Sequence, residues 1–317
     1  MKSKNKRIIF VTGASGFIGA NLIRELLNQN DEIHILNHTK KNSWRLEEIK
    51  NQITTHYGDL ANITSLKSTL AKTQPTHIIH LATYGAYPFQ IEMNKMISVN
   101  IVGTKNLLEA SKDIPYKCLI NTGTSSEYGF KNKPMRENDF CNPVSYYGAT
   151  KLAATQICKV FAQINNKPIV TLRLFSVFGP YEEPSRFIPT IIKSLIVRNT
   201  IKLTSGSLRR DFIYAKDVVT AYMQALNLAT VLQGKIINIG TRKEYTNDEV
   251  VEKLFKVTNK KTRIEKGAYP KRMWDTEHWH ADISLAKEIL NWNPRYSLGK
   301  GLAKNYSWFI KNLNLYN

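Results

Sequence analysis

The stretch RIIFVTGASGFIG, Arg7 to Gly19, restricts the possible fold more than any other part of the chain. Arg7 to Thr12 reads as a buried strand, and Phe17 to about Gln29 reads as a helix with apolar residues at helical spacing. Between them, glycines fall at Gly13, Gly16 and Gly19. The first lets the chain turn sharply, the second lets backbone approach a pyrophosphate, and the third lets the helix pack on the strand. A helix beginning at such a turn directs its free N–H groups and positive dipole end toward an anion. The preceding MKSKNKR gives this region the outline of a secretion signal, but the glycines interrupt the apolar run. No apolar run of about 18 residues occurs, so no membrane span is expected.

The same alternation continues downstream. Glu32 to Leu36, Thr76 to Ala82 and Lys117 to Thr122 are short apolar runs, and Ser98 to Lys112 has a helical pattern. Pro168 to Phe175 and Lys235 to Ile239 supply later strands. Strand–helix alternation of this kind predicts an α/β protein with a doubly wound parallel sheet, a Rossmann domain. From Gly179 the texture changes: GPYEEPSRFIP is irregular, IPTIIKSLIVR is helical, and GAYPKRMWDTEHWH precedes a closing helix near Asp282. The expected division is a nucleotide-binding domain of residues 1–178 plus about 212–262. A smaller C-terminal substrate lobe is expected from about 179–211 and 263–317. With 42% hydrophobic residues in 317, a core of that size can be filled.

Three scattered cysteines, Cys118, Cys141 and Cys158, form no CxxC pair and argue for a reducing cytoplasm. The formal charge of +20 raises nucleic acid as a partner. The lysines are spread along the chain, however, and no zinc finger, helix-turn-helix or RNP-like motif accompanies them. Nucleic acid is therefore not expected as a partner, and neither is a metal.

The glycine motif predicts a dinucleotide. Its usual companion is an acid about 20 residues on, which holds the ribose 2′-hydroxyl of NAD. Here the second strand ends in Leu36-Asn37-His38-Thr39-Lys40-Lys41, with Arg45 close behind and no carboxylate. An acid-free, basic site tolerates a 2′-phosphate, so the reading is NAD(P)(H) leaning to NADP(H). Asp59, after a further strand, is placed to read an adenine edge.

Two further stretches carry proton-handling groups. NTGTSSEYGF, Asn121 to Phe130, gathers four serine and threonine hydroxyls and a carboxylate, and SYYGATKLAAT follows, with Tyr147 and Lys151 four apart. The glycine trio, HLAT (His80 to Thr83), TSSEYG (Thr124 to Gly129) and Tyr147-x-x-x-Lys151 occur in one order. That order and spacing resemble the extended short-chain dehydrogenase/reductase family of nucleotide-sugar epimerases, dehydratases and ketoreductases. The resemblance continues through RLFSVFGP, RFIP, RRDFIYAKDV and INIG to ADISLAKEILNWNP, and so covers nearly the whole chain. Ser176, where the family often has asparagine, and Asn291, where GW is usual, are departures.

The resemblance implies catalytic Thr124, Tyr147 and Lys151. A phenol near pKa 10 is a poor base, and a neighbouring ammonium favours its phenolate. Tyr147 then moves a proton on a sugar oxygen that Thr124 hydrogen-bonds, while hydride moves to or from the nicotinamide. Tyr146 is a decoy, five residues from Lys151. The implied cofactor residues are Gly13, Gly16, Phe17, Ile18, Gly19, His38, Asp59, Leu60, Leu81, Ala82 and Asn100, with Tyr147 and Lys151. The implied nucleotide-sugar residues are Ser125, Ser126, Tyr84, Arg186, Arg210 and Arg272, arginine suiting a diphosphate because its fork donates two hydrogen bonds. Tyr87 lines the same pocket or packs under a loop, and Asp217 and Trp292 read as structural. The family's 4,6-dehydratases place an acid directly after the threonine; here Ser125 and Ser126 stand there, and Glu127 should point away. The expected activity is therefore reduction of an NDP-4-keto-6-deoxyhexose, with an NDP-sugar 4-epimerase as the alternative and a dehydratase third. A silent regulator would keep the glycines but has no use for Thr124, Tyr147 and Lys151 together. By the same resemblance a homodimer is expected.

Overall fold

The computed structural model describes residues 6–39, 44–204, 208–228, 232–270 and 276–316. Strand β1 (Ile8–Thr12) leads through the glycine turn into α1 (Phe17–Asn28), and β2 (Glu32–Asn37) follows. Next come β3 (Thr54–Tyr57), α2 (Ile63–Thr73) and β4 (His77–His80). Helices α3 (Met93–Met96) and α4 (Gly103–Ala110) are joined by a π-helical segment, Ile97–Val102. The uniform helix expected over Ser98 to Lys112 is thus widened in its first part. Strand β5 (Cys118–Thr124), α5 (Tyr146–Ile164), β6 (Ile169–Leu174) and β7 (Ser176–Phe178) complete this half.

The second half contains α6 (Phe187–Ile196), β8 (Ile201–Thr204), β9 (Arg209–Arg210), β10 (Phe212–Tyr214) and α7 (Ala215–Asn227). It continues with β11 (Ile236–Ile239), β12 (Tyr245–Thr246), α8 (Asn247–Thr258) and β13 (Ile264–Tyr269). Two helices close the chain, α9 (Ser284–Leu290) and α10 (Leu298–Lys311), where the sequence suggested one. They are separated at Asn291, which takes a left-handed conformation (φ 48°), three residues ahead of Pro294.

Seven strands form one sheet in the order β3-β2-β1-β4-β5-β6-β11, with every neighbouring pair parallel. This is the doubly wound α/β sheet that the alternation predicts. Its inner strands are covered on both faces, and all six residues of β6 are buried. Strand order reverses between β1 and β4, so their carboxyl ends border the crevice where such folds bind ligands. Strand β5 outlasts its apolar run because Gly123 and Thr124 still pair with Arg173 and Leu174.

One apolar cluster covers one face of the sheet and includes Val11, Ile23, Ile35, Ile120 and Leu172. A second joins Ile188 and Ile192 of α6, Val250 and Leu254 of α8, and Leu302 and Phe309 of α10. The apolar stripe of α8 therefore faces α6 and α10, although residues 212–262 read as part of the nucleotide-binding domain. Conversely, α9 and Trp292, from the segment read as substrate lobe, bury their apolar side chains in the first cluster. The chain crosses between the clusters more often than a linear reading suggests. Among the described residues, no helix is long and apolar enough to cross a membrane.

Candidate active site

The glycine turn lies at the strand-order reversal. Gly13 has φ 73°, and a Cβ there would stand 2.4 Å from the Ala82 amide nitrogen and 2.6 Å from the Leu81 carbonyl carbon. Only glycine lets the β1 and β4 exits approach so closely, and the result is a backbone-lined cradle. The N-cap of α1, Gly16, is extended and supplies no side-chain acceptor to the first turn, where Phe17 and Ile18 sit half-buried. An uncapped helix start facing a bare backbone crevice fits a dinucleotide pyrophosphate. Asp59 accepts the Ala61 N–H (2.8 Å), and its other oxygen lies 3.3 Å from Nε2 of His38, so these two exposed candidates are neighbours. Leu60 is buried beneath them.

Of the basic residues behind the NADP(H) expectation, the structure describes Arg45. Arg45 turns away from the β2 end, donating from Nε to the Tyr181 carbonyl (2.7 Å) and from Nη2 to Glu183 (3.1 Å) while stacking on Trp44. Lys40 and Lys41 lie outside the described residues.

The hydroxyl cluster and the Tyr-x-x-x-Lys helix meet. After Thr124 the chain makes a 3₁₀ turn, Ser125–Glu127, whose capping box uses the Thr124 and Glu127 side chains. Helix α5 is capped by Ser145 and docks on this turn so closely that a Cβ on Gly148 would lie 2.5 Å from the Ser126 carbonyl oxygen. Tyr147 then faces Thr124, and Lys151 follows one turn along, buried; Tyr146 is 63% exposed. Burial pushes the Tyr147 phenol up to about 12, against the pull of the Thr124 hydroxyl, the Arg186 guanidinium and the Thr83 hydroxyl. Burial likewise lowers Lys151, while Glu127 and Cys158 support its charge. Behind Lys151, burial holds His80 down at about 3, so it is neutral between Thr12 Oγ1 (2.7 Å) and Thr104 Oγ1 (2.9 Å).

Glu127 is turned inward, as expected, though from a 3₁₀ turn and not from a strand. Its carboxylate takes the Thr124 N–H (2.8 Å), the Thr155 hydroxyl (3.1 Å) and Arg173 Nε (2.7 Å) and is fully buried. Ser125 is also buried, and its Oγ accepts a hydrogen bond from Trp279 Nε1 (2.9 Å). Ser126 stays half-buried, its N–H on Thr124 Oγ1.

Tyr84 sends its hydroxyl outward to Glu92 (2.7 Å) under Lys95. Asn100, on the π segment, donates to the Tyr84 carbonyl (2.8 Å) and Thr150 Oγ1 (3.0 Å) and accepts from Tyr84 N–H (2.9 Å) and Thr83 (3.1 Å). Every valence of that amide is used in fixing the loop after β4 against α5. Arg186 lies 3.9 Å from Glu182 and within electrostatic reach of Tyr147. Arg210 stacks over Trp279, 5.1 Å from the ring centroid. Arg272 lies outside the described residues. Tyr87 packs on Phe89 with its phenol among Arg45, Glu183, Arg186 and Glu182.

Thr83 and Trp279 are the neighbours of the site that motif reading missed. Thr83 was visible in HLAT but not as a neighbour of Tyr147, 64 residues on. Nothing in the sequence around Trp279 marked it.

Residues 9–240 match the model of the NAD dependent epimerase/dehydratase family. The chain belongs to this family. It is an enzyme of the extended short-chain dehydrogenase/reductase class that modifies nucleotide sugars. A UDP-glucuronate 4-epimerase of Thermodesulfobacterium geofontis is 31% identical over 318 residues, covering 96% of this chain and 97% of the relative. The UDP-glucuronic acid 4-epimerase of Bacillus cereus, solved with UDP-glucuronic acid and NAD, superposes with a TM-score of 0.83 at 29% identity, covering 96% of this chain and 99% of that one. MoeE5, solved with NAD and either UDP-glucuronic acid or UDP-glucose, gives a TM-score of 0.85 at 27% identity, covering 96% of this chain and 99% of that one. The sequence reading put a ketoreductase first; these relatives favour its epimerase alternative.

Proposed function

We propose that this enzyme is an NAD-dependent 4-epimerase of a UDP-hexose. The observation carrying the reading is the meeting of Thr124, Tyr147 and Lys151, with the acid of the adjoining turn, Glu127, buried against Arg173. Elimination needs an acid–base group facing the sugar, whereas inversion through a 4-keto sugar needs one proton carrier. The cradle at Gly13, Leu81 and Ala82 and the start of α1 would hold the dinucleotide, with His38, Asp59 and Leu60 toward its adenosine end. A bound dinucleotide would supply a reversible hydride acceptor for C4 and, when oxidised, positive charge in the site.

Tyr147 Oη takes the proton of the C4 hydroxyl and later gives it back to the ketone oxygen. With the phenol up at about 12 before ligands bind, the positive charges of Lys151 and of the oxidised cofactor supply the downward pull. Thr124 holds the reacting oxygen. Thr83, held by its hydrogen bond to Asn100, stands beside the phenol. Arg186 and Arg210, with Arg272, are candidates for the diphosphate, and Ser126 and Tyr84 for the sugar side.

NAD is preferred over NADP in this reading, since Arg45 is engaged with Tyr181 and Glu183. The test is turnover of UDP-sugars with NAD and no added reductant. A 4-epimerase interconverts the C4 epimers with no net change in cofactor. Stoichiometric consumption of NADH or NADPH on a 4-keto sugar would restore the ketoreductase.

A homodimer forms part of the proposal. Val102, at the end of the π segment, and Val160 and Ile164 of α5 are exposed around a groove of about 440 Å³ lined by Leu108, Ile157 and Phe161. Ile164→Glu should shift the mass in light scattering from dimer to monomer. A cytoplasmic setting agrees with three free cysteines, two of them buried.

A further inference from the structure

The segment 276–282 lies across the catalytic end of β5 and is fastened at several points. Glu244 accepts the Trp279 N–H (2.8 Å) and lies against Nδ1 of both His278 (3.0 Å) and His280 (2.9 Å). Asp211, fully buried, accepts the Ala281 N–H (3.1 Å), and the Asp282 N–H donates to the Met135 carbonyl (2.8 Å). The side chain held in the middle of these fastenings is Trp279. It is 6% exposed, with its indole N–H on Ser125 Oγ and its ring face under the Arg210 guanidinium.

Ser125 is the first residue of the turn that Thr124 caps. A shift of the Ser125 backbone therefore moves the Thr124 hydroxyl relative to Tyr147. Since Ser125 Oγ accepts from the indole, its own proton is left to donate. The same indole supports the arginine nominated for the diphosphate.

We propose that Trp279 is a positioning residue of the epimerisation: acting through Ser125, it holds the Thr124 end of the catalytic set, and through Arg210 it fixes the distance between that set and the substrate's diphosphate. This rests on the 4-epimerase reading above. The indole touches no reacting atom, so its effect is one of alignment, where misplacement by about 1 Å can cost about 10²-fold in rate.

The test compares Trp279→Phe, Ser125→Ala and the double variant in NAD-dependent epimerisation of UDP-glucose and UDP-glucuronic acid. Phenylalanine keeps one ring under Arg210 and loses the N–H donor together with the second ring of the indole. Each single variant should lower kcat about tenfold or more, with KM for the UDP-sugar and for NAD changed less than about threefold. The double variant should be no slower than the slower single, since both remove the same hydrogen bond. Ser125→Ala keeps the test open should Trp279→Phe fail to fold. The inference is overturned by a Trp279→Phe enzyme within twofold of wild-type kcat, by a change confined to KM, or by losses that multiply in the double variant. A wild-type enzyme that inverts no UDP-sugar removes the 4-epimerase reading itself, a distinct outcome, and the inference with it.

Discussion

Arg173→Met should be the most damaging single substitution outside the catalytic set. Arg173 and Glu127 are 1% and 0% exposed, and Arg173 Nε donates to Glu127 at 2.7 Å with the guanidinium 4.6 Å from the Tyr128 ring centroid. Methionine retains much of the apolar stem but leaves Glu127 with two neutral donors, the Thr124 N–H and the Thr155 hydroxyl. Breaking one side of a buried pair costs about 3–5 kcal/mol, because the remaining charge is stranded away from water. With a urea slope of about 3 kcal/mol/M, the midpoint should fall by about 1–2 M. Glu127→Gln added to Arg173→Met removes both charges and should recover a large part of the loss. The deficit also has a pH signature. Burial already raises the Glu127 carboxyl, and without Arg173 its largest opposing charge is gone, leaving the weaker pull of the Thr124 N–H and Lys151. A folded-state pKa above the unfolded value destabilises fully at pH above both and relaxes as pH falls through the raised value. The deficit should therefore shrink toward acid. A single variant within about 1 kcal/mol of wild type, or a double variant worse than the single, would refute the buried-pair argument.

Two other predictions concern separate parts of the molecule. Tyr147→Phe should slow turnover by at least about 10²-fold with NAD binding nearly intact, Lys151→Met should lose both rate and NAD affinity, and Thr124→Ala should fall between. Tyr146→Phe, altering a ring that is 63% exposed, should match wild type in the same steady-state assay; a dead Tyr146→Phe with an active Tyr147→Phe would reverse the assignment. Glu182 is buried, its Oε2 without a partner among the described residues, and burial pushes it up to about 8 against the pull of Arg186. A raised carboxyl penalises the fold as pH climbs from the ordinary value toward about 8, so Glu182→Gln should equal wild type near pH 5 and exceed it near pH 8.5 by on the order of 1–3 kcal/mol. Thermal unfolding at the two pH values checks this, and a gap that does not widen with pH defeats it.

What could be read in the sequence was whatever depends on local geometry. The glycine turn, the Tyr147–Lys151 spacing and the inward turn of Glu127 each involve residues within one turn or strand end, where backbone periodicity decides direction. The failures are of another kind. Arg45 stands near the end of β2 in sequence, yet Tyr181 and Glu183, more than a hundred residues away, decide where its charge goes. Trp279 reaches Ser125 across 154 residues of chain. An apolar stripe such as that of α8 does not name the surface that covers it, and here that surface is α6 and α10. For the first of these reasons Arg45 lends the NADP(H) lean no support.

The widened turn at Ile97–Val102 bears on how this enzyme can change over time. A π segment amounts to one residue more than a regular helix accommodates, retained where function rewards it. Losing that residue would give a smoother helix and turn everything on one side of it by about 100°, the angle between successive α-helical residues. Asn100 would then no longer reach both Tyr84 and Thr150, and the loop carrying Thr83 toward Tyr147 would come untied. A deletion that looks like a repair would uncouple β4 from the catalytic helix, so this irregularity is expected to outlast much of the surrounding sequence in descendants that keep the chemistry.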